Sequence, residues 1–344
     1  MTARRVAVLL AAGLAVIAFA MWVASRRHLE RATLSGDLVL PGLERSVNAV
    51  TEIDLAKGDG TRTSLKKDSS GWNVGERGWP ADTPKLRKLV LDLGALNIVE
   101  EKTRLPANYP LLGVEDVSAP QAAGVRIDAI APGKTWALII GKSSSGKSGY
   151  VRVAGAPQSL LAAPMLTADA DPKSWLDHTL IDLRAARVHE IEARPVAAPP
   201  YTATRIKKDE PDFTVSPLPK GRVLTGPAAA EPIAAALGML TLDDVHRALV
   251  SADTHEAHAL FRTFDGLEVN VAGHKDGARS LITIGARASG AQSQAEAQTL
   301  AARLAGWEFE IPEYRYAAIF KPLEELLQQP AEPAKKKPRG AKGK

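Results

Sequence analysis

A chain of 344 residues, 45% hydrophobic and 24% charged, is long enough for one large or two ordinary domains and can bury a core. It contains no cysteine, which excludes disulfides, thiolate metal sites and cysteine nucleophiles. Its formal charge of +5 sits at the two ends, in Arg4, Arg5, Arg26, Arg27 and Arg31 against Glu30, and in Lys335, Lys336, Lys337, Arg339, Lys342 and Lys344 against Glu332; the body between is mildly acidic, so no nucleic-acid partner is expected.

The first predicted element is a membrane helix. Val6 to Ala24 is 19 residues without a charge, and as a helix it spans roughly 28 Å, close to the thickness of a bilayer core. Ala18-Phe19-Ala20 offers the pattern of a signal-peptide cleavage site, but the apolar run continues through Trp22 and Val23, which favours an uncleaved anchor. With residues 1–31 as anchor and 32–45 as linker, the bulk of the chain is expected outside the cytoplasm, on a single-pass inner-membrane protein.

The body reads as two tandem α+β repeats, 46–185 and 186–325, each an antiparallel sheet plus a helix. Val50-Thr51-Glu52-Ile53-Asp54 resembles Val188-His189-Glu190-Ile191-Glu192. Thr63 to Asp68 resembles Thr204 to Asp209, and Trp72-Asn73-Val74 resembles Phe213-Thr214-Val215. In the first half Thr61, Thr63 and Leu65 alternate with polar residues as in a strand, and Asp68-Ser69-Ser70-Gly71 supplies the turn into a return strand. A helix follows, capped by Asp82 or Thr83, with Pro84 in its first turn and Leu86, Leu89, Val90, Leu93 and Leu96 on one face. The second helix is expected to open at Pro227 or Pro232 and to carry Ile233, Ala236, Leu237 and Leu240. Second strand pairs follow, Val125 to Ile130 with Trp136 to Ile140 and Leu260 to Phe264 with Leu267 to Val271, turning at Gly133 and Gly266.

The segment after Ile140, Gly141-Lys142-Ser143-Ser144-Ser145-Gly146-Lys147-Ser148, fits the phosphate-loop pattern G-x-x-x-x-G-K-[ST]. A phosphate loop needs a helix after it, whose N-terminal amides complete the anion cradle. Here Gly149 to Gly155 alternates like a strand, and the matching stretch Gly273 to Ser280 leads into the strand-like Leu281 to Ile284. Gly141, Gly146, Lys147 and Ser148 are therefore read as a chance match in a hairpin loop, and no nucleotide or other cofactor is expected.

No metal site is expected either. His255-Glu256-Ala257-His258 lacks the H-E-x-x-H spacing that puts two imidazoles on one helical face. Asp243-Asp244, Glu100-Glu101 and Glu115-Asp116 read as solvated acidic pairs. No G-x-S-x-G is present, and no catalytic set stands out. Trp72, Trp136 and Trp307 lie in strand patterns and are expected in the core; Trp79 is the best candidate for a partly exposed aromatic. Residues 326–344 read as a disordered basic tail.

Several of these stretches together resemble a known family, the bacterial envelope proteins of domain-of-unknown-function family 4340. The carriers are Gly71-Trp72, Trp79-Pro80-Ala81-Asp82, Leu112-Gly113-Val114 with Pro120, Leu138-Ile139-Ile140-Gly141, Tyr150-Val151-Arg152 and Trp175-Leu176-Asp177-His178-Thr179-Leu180, behind an N-terminal anchor. The resemblance implies a membrane-anchored extracytoplasmic subunit associated with an ABC-type system; with no catalytic set in the sequence, the expected role is a non-enzymatic accessory or scaffolding partner of an ABC-type permease. A glycan- or lipid-binding envelope protein is the alternative, and a hydrolase or nucleoside triphosphatase ranks last.

Overall fold

The computed structural model describes residues 16–17, 36–144, 146–208, 210, 212–248 and 257–329. The expected anchor (apart from Val16 and Ile17), the linker up to Ser35, the residues His255 and Glu256, and the tail from Pro330 onward lie outside them. Among the described residues no helix is long and apolar enough to cross a membrane. The described chain is α+β, with antiparallel sheets and few helices. It divides into two compact units, Met1–Asp177 and His178–Lys344.

In the first unit β1 (Glu52–Lys57), β2 (Arg62–Asp68) and β3 (Gly71–Val74) form a meander, extended by the two-residue β4 (Trp79–Pro80). The alternation read from the sequence is the alternation of burial: Ile53, Leu55, Thr63 and Leu65 point inward and their neighbours outward. Helix α1 (Thr83–Gly94) starts where Asp82 accepts the Lys85 N–H at 2.9 Å, a cap worth about 1 kcal/mol. It buries Leu86, Leu89, Val90 and Leu93, each contributing roughly 1.5–3 kcal/mol. After β5 (Asn97–Glu101) and the one-turn α2 (Tyr109–Leu112) comes a second meander of β6 (Val125–Ala131), β7 (Lys134–Ser143), β8 (Gly149–Val153) and β9 (Ser159–Ala163). Gly133, at φ +75°, makes the β6–β7 turn. The nine-stranded sheet runs β4-β3-β2-β1-β6-β7-β8-β9-β5, antiparallel throughout.

The second unit contains β10 (Thr179–Ile181), β11 (Val188–Arg194), β12 (Tyr201–Thr204), β13 (Thr214–Ser216), α3 (Glu231–Ala234), β14 (Leu240–Thr241) and β15 (Asp244–Arg247). After these come β16 (Ala257–Thr263), β17 (Leu267–Asp276), β18 (Arg279–Ala288), α4 (Gln294–Leu304), β19 (Trp307–Ile311) and α5 (Glu313–Ile319). Its eight-stranded sheet runs β13-β12-β11-β16-β17-β18-β19-β15. With β4 set aside, the two sheets have one strand order. A three-strand meander joins at its first strand to a four-strand meander, whose last strand pairs with the strand lying between the two meanders in sequence.

The second helix departs from expectation. It has four residues, and Leu237 and Leu240 lie outside it; Leu240 begins β14. Gly238 and Met239, the latter at φ +45°, turn the chain away from the helical path. Helix α4, packed on β18 and β17, supplies helical cover in this unit instead.

In the first unit the segment before the η-turn at Pro172 is fastened to the first meander. Thr63 Oγ1 donates to Ala170 O at 2.6 Å and Lys57 Nζ donates to Asp169 Oδ1 at 2.7 Å, while within the segment Trp175 Nε1 donates to Asp169 O at 2.7 Å. The Lys57 hydrogen bond, foremost, holds the Asp169 carboxyl below the usual aspartate range. A folded-state pKa depressed below its unfolded value gives stability that is present above the unfolded value, near pH 4, and is lost as pH falls through the folded one. Urea midpoints of the wild-type protein should therefore fall between about pH 4 and pH 2, and Asp169→Asn should show a smaller fall in that window. Identical pH profiles for the two proteins would remove Asp169 from the account.

Candidate functional site

The apolar run Trp136-Ala137-Leu138-Ile139-Ile140 on β7 does not alternate because both faces of the sheet are covered there. Trp136, Leu138 and Ile140 are buried on one face. Ile139 is buried on the other, in a cluster with Tyr109 and Val114 against which Leu112 and Tyr150 also pack. The loop around α2 is thus pressed onto the back of the sheet, and Gly141, two residues after Ile139 on that same face, lies under it. A Cβ on Gly141 would stand 2.4 Å from Leu112 O and 2.7 Å from Val114 Cγ1. One on Gly124 would stand 2.5 Å from Gly113 O. Lys142 Nζ donates to Pro110 O and Leu111 O at 3.0 and 3.2 Å, satisfying carbonyls at the end of α2, where Gly113 takes φ +69°.

Arg152, directly across from Ile139 on β8, completes this knot. It is 2% exposed. Its guanidinium lies 4.7 Å from the Tyr109 ring and donates to Val114 O at 2.8 Å, Ala156 O at 3.0 Å and Asp116 Oδ1 at 2.8 Å. The Tyr109 hydroxyl donates to Pro157 O at 2.6 Å. The Arg152 guanidinium and the Tyr109 hydroxyl are spent on the chain's own backbone and on Asp116, which suits a clamp.

The phosphate-loop match falls in the hairpin beyond the knot. The Ser144 N–H donates to Ser148 O at 3.0 Å, and Lys147 O accepts the Met165 N–H at 2.7 Å. Gly146 and Lys147 are exposed, and Ser145 lies outside the described residues. From Gly149 the chain runs as β8. The first glycine of the pattern serves close packing, its first lysine caps α2, and its second lysine stands in solvent.

A second knot joins two other stretches quoted above. Asp82 N–H donates to Trp175 O and Asp177 N–H to Pro80 O, both at 2.8 Å, and Trp79 Nε1 donates to Asp177 O at 2.9 Å. Trp79, expected to be partly exposed, is 1% exposed because its indole finds both an apolar site and a backbone acceptor there. Among the described tryptophans it is Trp72 that stays half-buried, beside α1.

Asp244 also departs from expectation. It is 2% exposed, on edge strand β15, opposite Glu310 of β19. Asp244, His246 and Glu310 offer ligand atoms all within 4.8 Å of one another, and His246 Nε2 stands 3.5 Å from Asp244 Oδ2. These are donor types that divalent cations take. Both carboxylates engage further protein groups, and Asp244 Oδ1 accepts the Val245 N–H at 2.9 Å, so the trio reads as a polar cluster within the sheet edge. A sequence scan passes over it because its members become neighbours only through β15–β19 pairing.

If the loop is a packing device, its glycine matters and its lysine does not. Gly141→Ala should destabilise the protein by about 1–3 kcal/mol, while Lys147→Ala should stay within about 0.5 kcal/mol of wild type in chemical denaturation. Magnesium–ATP should leave all three melting curves unmoved. The reverse order of destabilisation, or an ATP-dependent rise in Tm lost in Lys147→Ala, would restore the phosphate loop.

Neither a search of curated proteins nor a search of solved structures returns a match. One family model does match, over residues 72–276, from β3 of the first unit to β17 of the second; it is described as a domain of unknown function, DUF4340. That span is more than half of the 344-residue chain and includes the Arg152 knot and both partners of the Trp79–Asp177 knot. The chain belongs to the DUF4340 family.

Proposed function

We propose that this protein is a membrane-anchored extracytoplasmic accessory or scaffolding subunit, held in the inner membrane by Val6 to Ala24 and partnered with an ABC-type permease. The two units are tandem copies of one α+β design, and the protein carries out no reaction of its own. The observation that carries this reading is the fate of the chemistry-bearing residues in the first unit. Gly141, Lys142 and Arg152 serve packing and capping, and the exposed Lys147 faces no built cradle. The uncharged run at the N-terminus supports the anchor, and the sequence resemblance supports the permease. The shared strand order of the two sheets supports duplication.

Detergent extraction after in-cell crosslinking tests the reading. The protein should sediment with membranes, be digested by protease added from the periplasmic side, and bring down a permease subunit. Recovery of glycan or lipid alone would favour an envelope-polymer binder, and a soluble protein with no partner would end the accessory role.

A further inference from the structure

The outer flank of α1 carries a cleft of about 180 Å³ between the helix, the Val47–Ala49 turn and the β2–β3 hairpin. Its lining includes Val47, Lys67, Trp72, Arg87, Val90 and Leu91. Lys67 and Trp72 are cross-strand partners, so both reach toward the helix from one face of the hairpin. Leu91 is 49% exposed and Trp72 half-buried, an apolar strip left uncovered beside a helix that is otherwise well packed. The cleft continues into an open groove along Thr83, Pro84 and Lys88.

The size of the cleft argues about its occupant. Sites for drug-sized ligands run to roughly 300–1,000 Å³, so this one is too small for such a ligand and suits one or two apolar side chains of a docked segment. The charge argues further. No carboxylate lines the cleft. Of the cations near it, Lys88 is paired with Asp92 and Lys85 donates to Ser174 O, but Lys67 and Arg87 are exposed and in no ion pair among the described residues. The chain's own ends do not fit, because both are rich in lysine or arginine. A second copy does not fit either: a two-fold contact centred on the cleft sets this patch, with Lys67, Arg87 and no carboxylate, against an identical patch.

We propose that this cleft docks an acidic amphipathic segment of a partner protein, whose apolar side chains enter between Trp72 and Leu91 while its carboxylates meet Lys67 and Arg87. The inference rests on the accessory reading above and gives it a place on the molecule.

The test uses the full chain in nanodiscs and two fluorescent helical peptides. Both carry leucine at positions i, i+3, i+4 and i+7; one is flanked by glutamate, the other by lysine. The glutamate peptide should bind at least about tenfold more tightly, weaken as salt is raised, and lose about tenfold in affinity against a Lys67→Glu/Arg87→Glu variant and against Leu91→Glu. Unchanged thermal unfolding of the variants keeps the loss attributable to the cleft. Equal affinity for the two peptides, or binding indifferent to the substitutions, overturns the proposal. So does displacement of the peptide by phosphatidylglycerol vesicles that themselves depend on Lys67 and Arg87, which assigns the cleft to a membrane surface. A permease that co-purifies equally with wild type and the double variant also overturns the cleft while leaving the accessory role standing. Failure to recover any partner with wild type removes that role, and the peptide measurement still decides the cleft.

Discussion

The back of β7 has no room for a side chain at Gly141. Leu112 O sits 2.4 Å from where a Cβ would stand, closer than a carbon and an oxygen can approach without something moving. That contact is the hinge of the first unit's chemistry. It lets the α2 loop lie flat on the sheet, brings Val114 and Tyr109 over Ile139, and carries the Val114 carbonyl to within 2.8 Å of the Arg152 guanidinium. A phosphate loop uses its glycines in the opposite way. It keeps backbone amides bare so that they can turn toward an anion. Here the first glycine of the pattern is roofed by carbonyls, groups that repel an anion.

The second unit meets the same constraint with different material. Gly273 on β17 holds the position that the sequence comparison aligned with Gly141, and a Cβ there would stand 2.4 Å from Phe320 Cε2 and 2.8 Å from Tyr316 Cε2. The cover is the end of α5 with its Tyr316–Phe320 ring pair, centroids 4.7 Å apart, instead of a one-turn helix and loop. A buried arginine recurs as well, at a different place. Arg205 donates to Val188 O at 2.7 Å and lies 4.8 Å from the Phe213 ring. In both units one central strand is approached too closely for a Cβ, and a guanidinium ties loop carbonyls to the sheet. Strand order is common to the two sheets, while the elements laid over them differ.

That division explains what was readable in the sequence. Hairpins announce themselves by alternation and by turn glycines such as Gly133 and Gly266, because half-buried strands must alternate. Helix α1 announces itself by Asp82, Pro84 and a leucine stripe. The covers do not. Helix α4 is Gln294-Ala295-Glu296-Ala297 and onward, buries only Ala297 and Leu304, and so has hardly any stripe to detect. The stretch around Pro232 reads as a longer helix from its proline and the apolar Ile233, Ala236, Leu237 and Leu240, but these are buried without one, because the chain turns at Gly238 and Met239 into β14 after four helical residues. Edge strands β5 and β15 each pair with a single strand of their sheet, β5 having besides only a bridge from Asn97 to Leu38. β5 carries a register break at Val99, so neither shows a clean period. Trp79 and Trp72 exchanged their expected roles for a related reason: burial of an indole depends on a backbone acceptor, Asp177 O, far along the chain.

The balance of charges completes the picture. On the second sheet two half-buried arginines are each matched by more than one carboxylate. Arg262 meets Glu190, Glu192 and Glu268, and Arg187 meets Asp265 and Glu296. Each such pair is worth only about 1 kcal/mol or less, so its main physical effect is to cancel the arginine's field locally. The flank of α1 lacks that neutralisation, and it also lacks apolar cover over Leu91. An exposed lysine or arginine costs the fold nothing, and one exposed leucine very little. Neither feature therefore strains the protein, and neither is removed by folding. With Arg152 and Tyr109 of the first unit spent inward, the exposed cations and the exposed leucine on the flank of α1 are where recognition has free energy to work with.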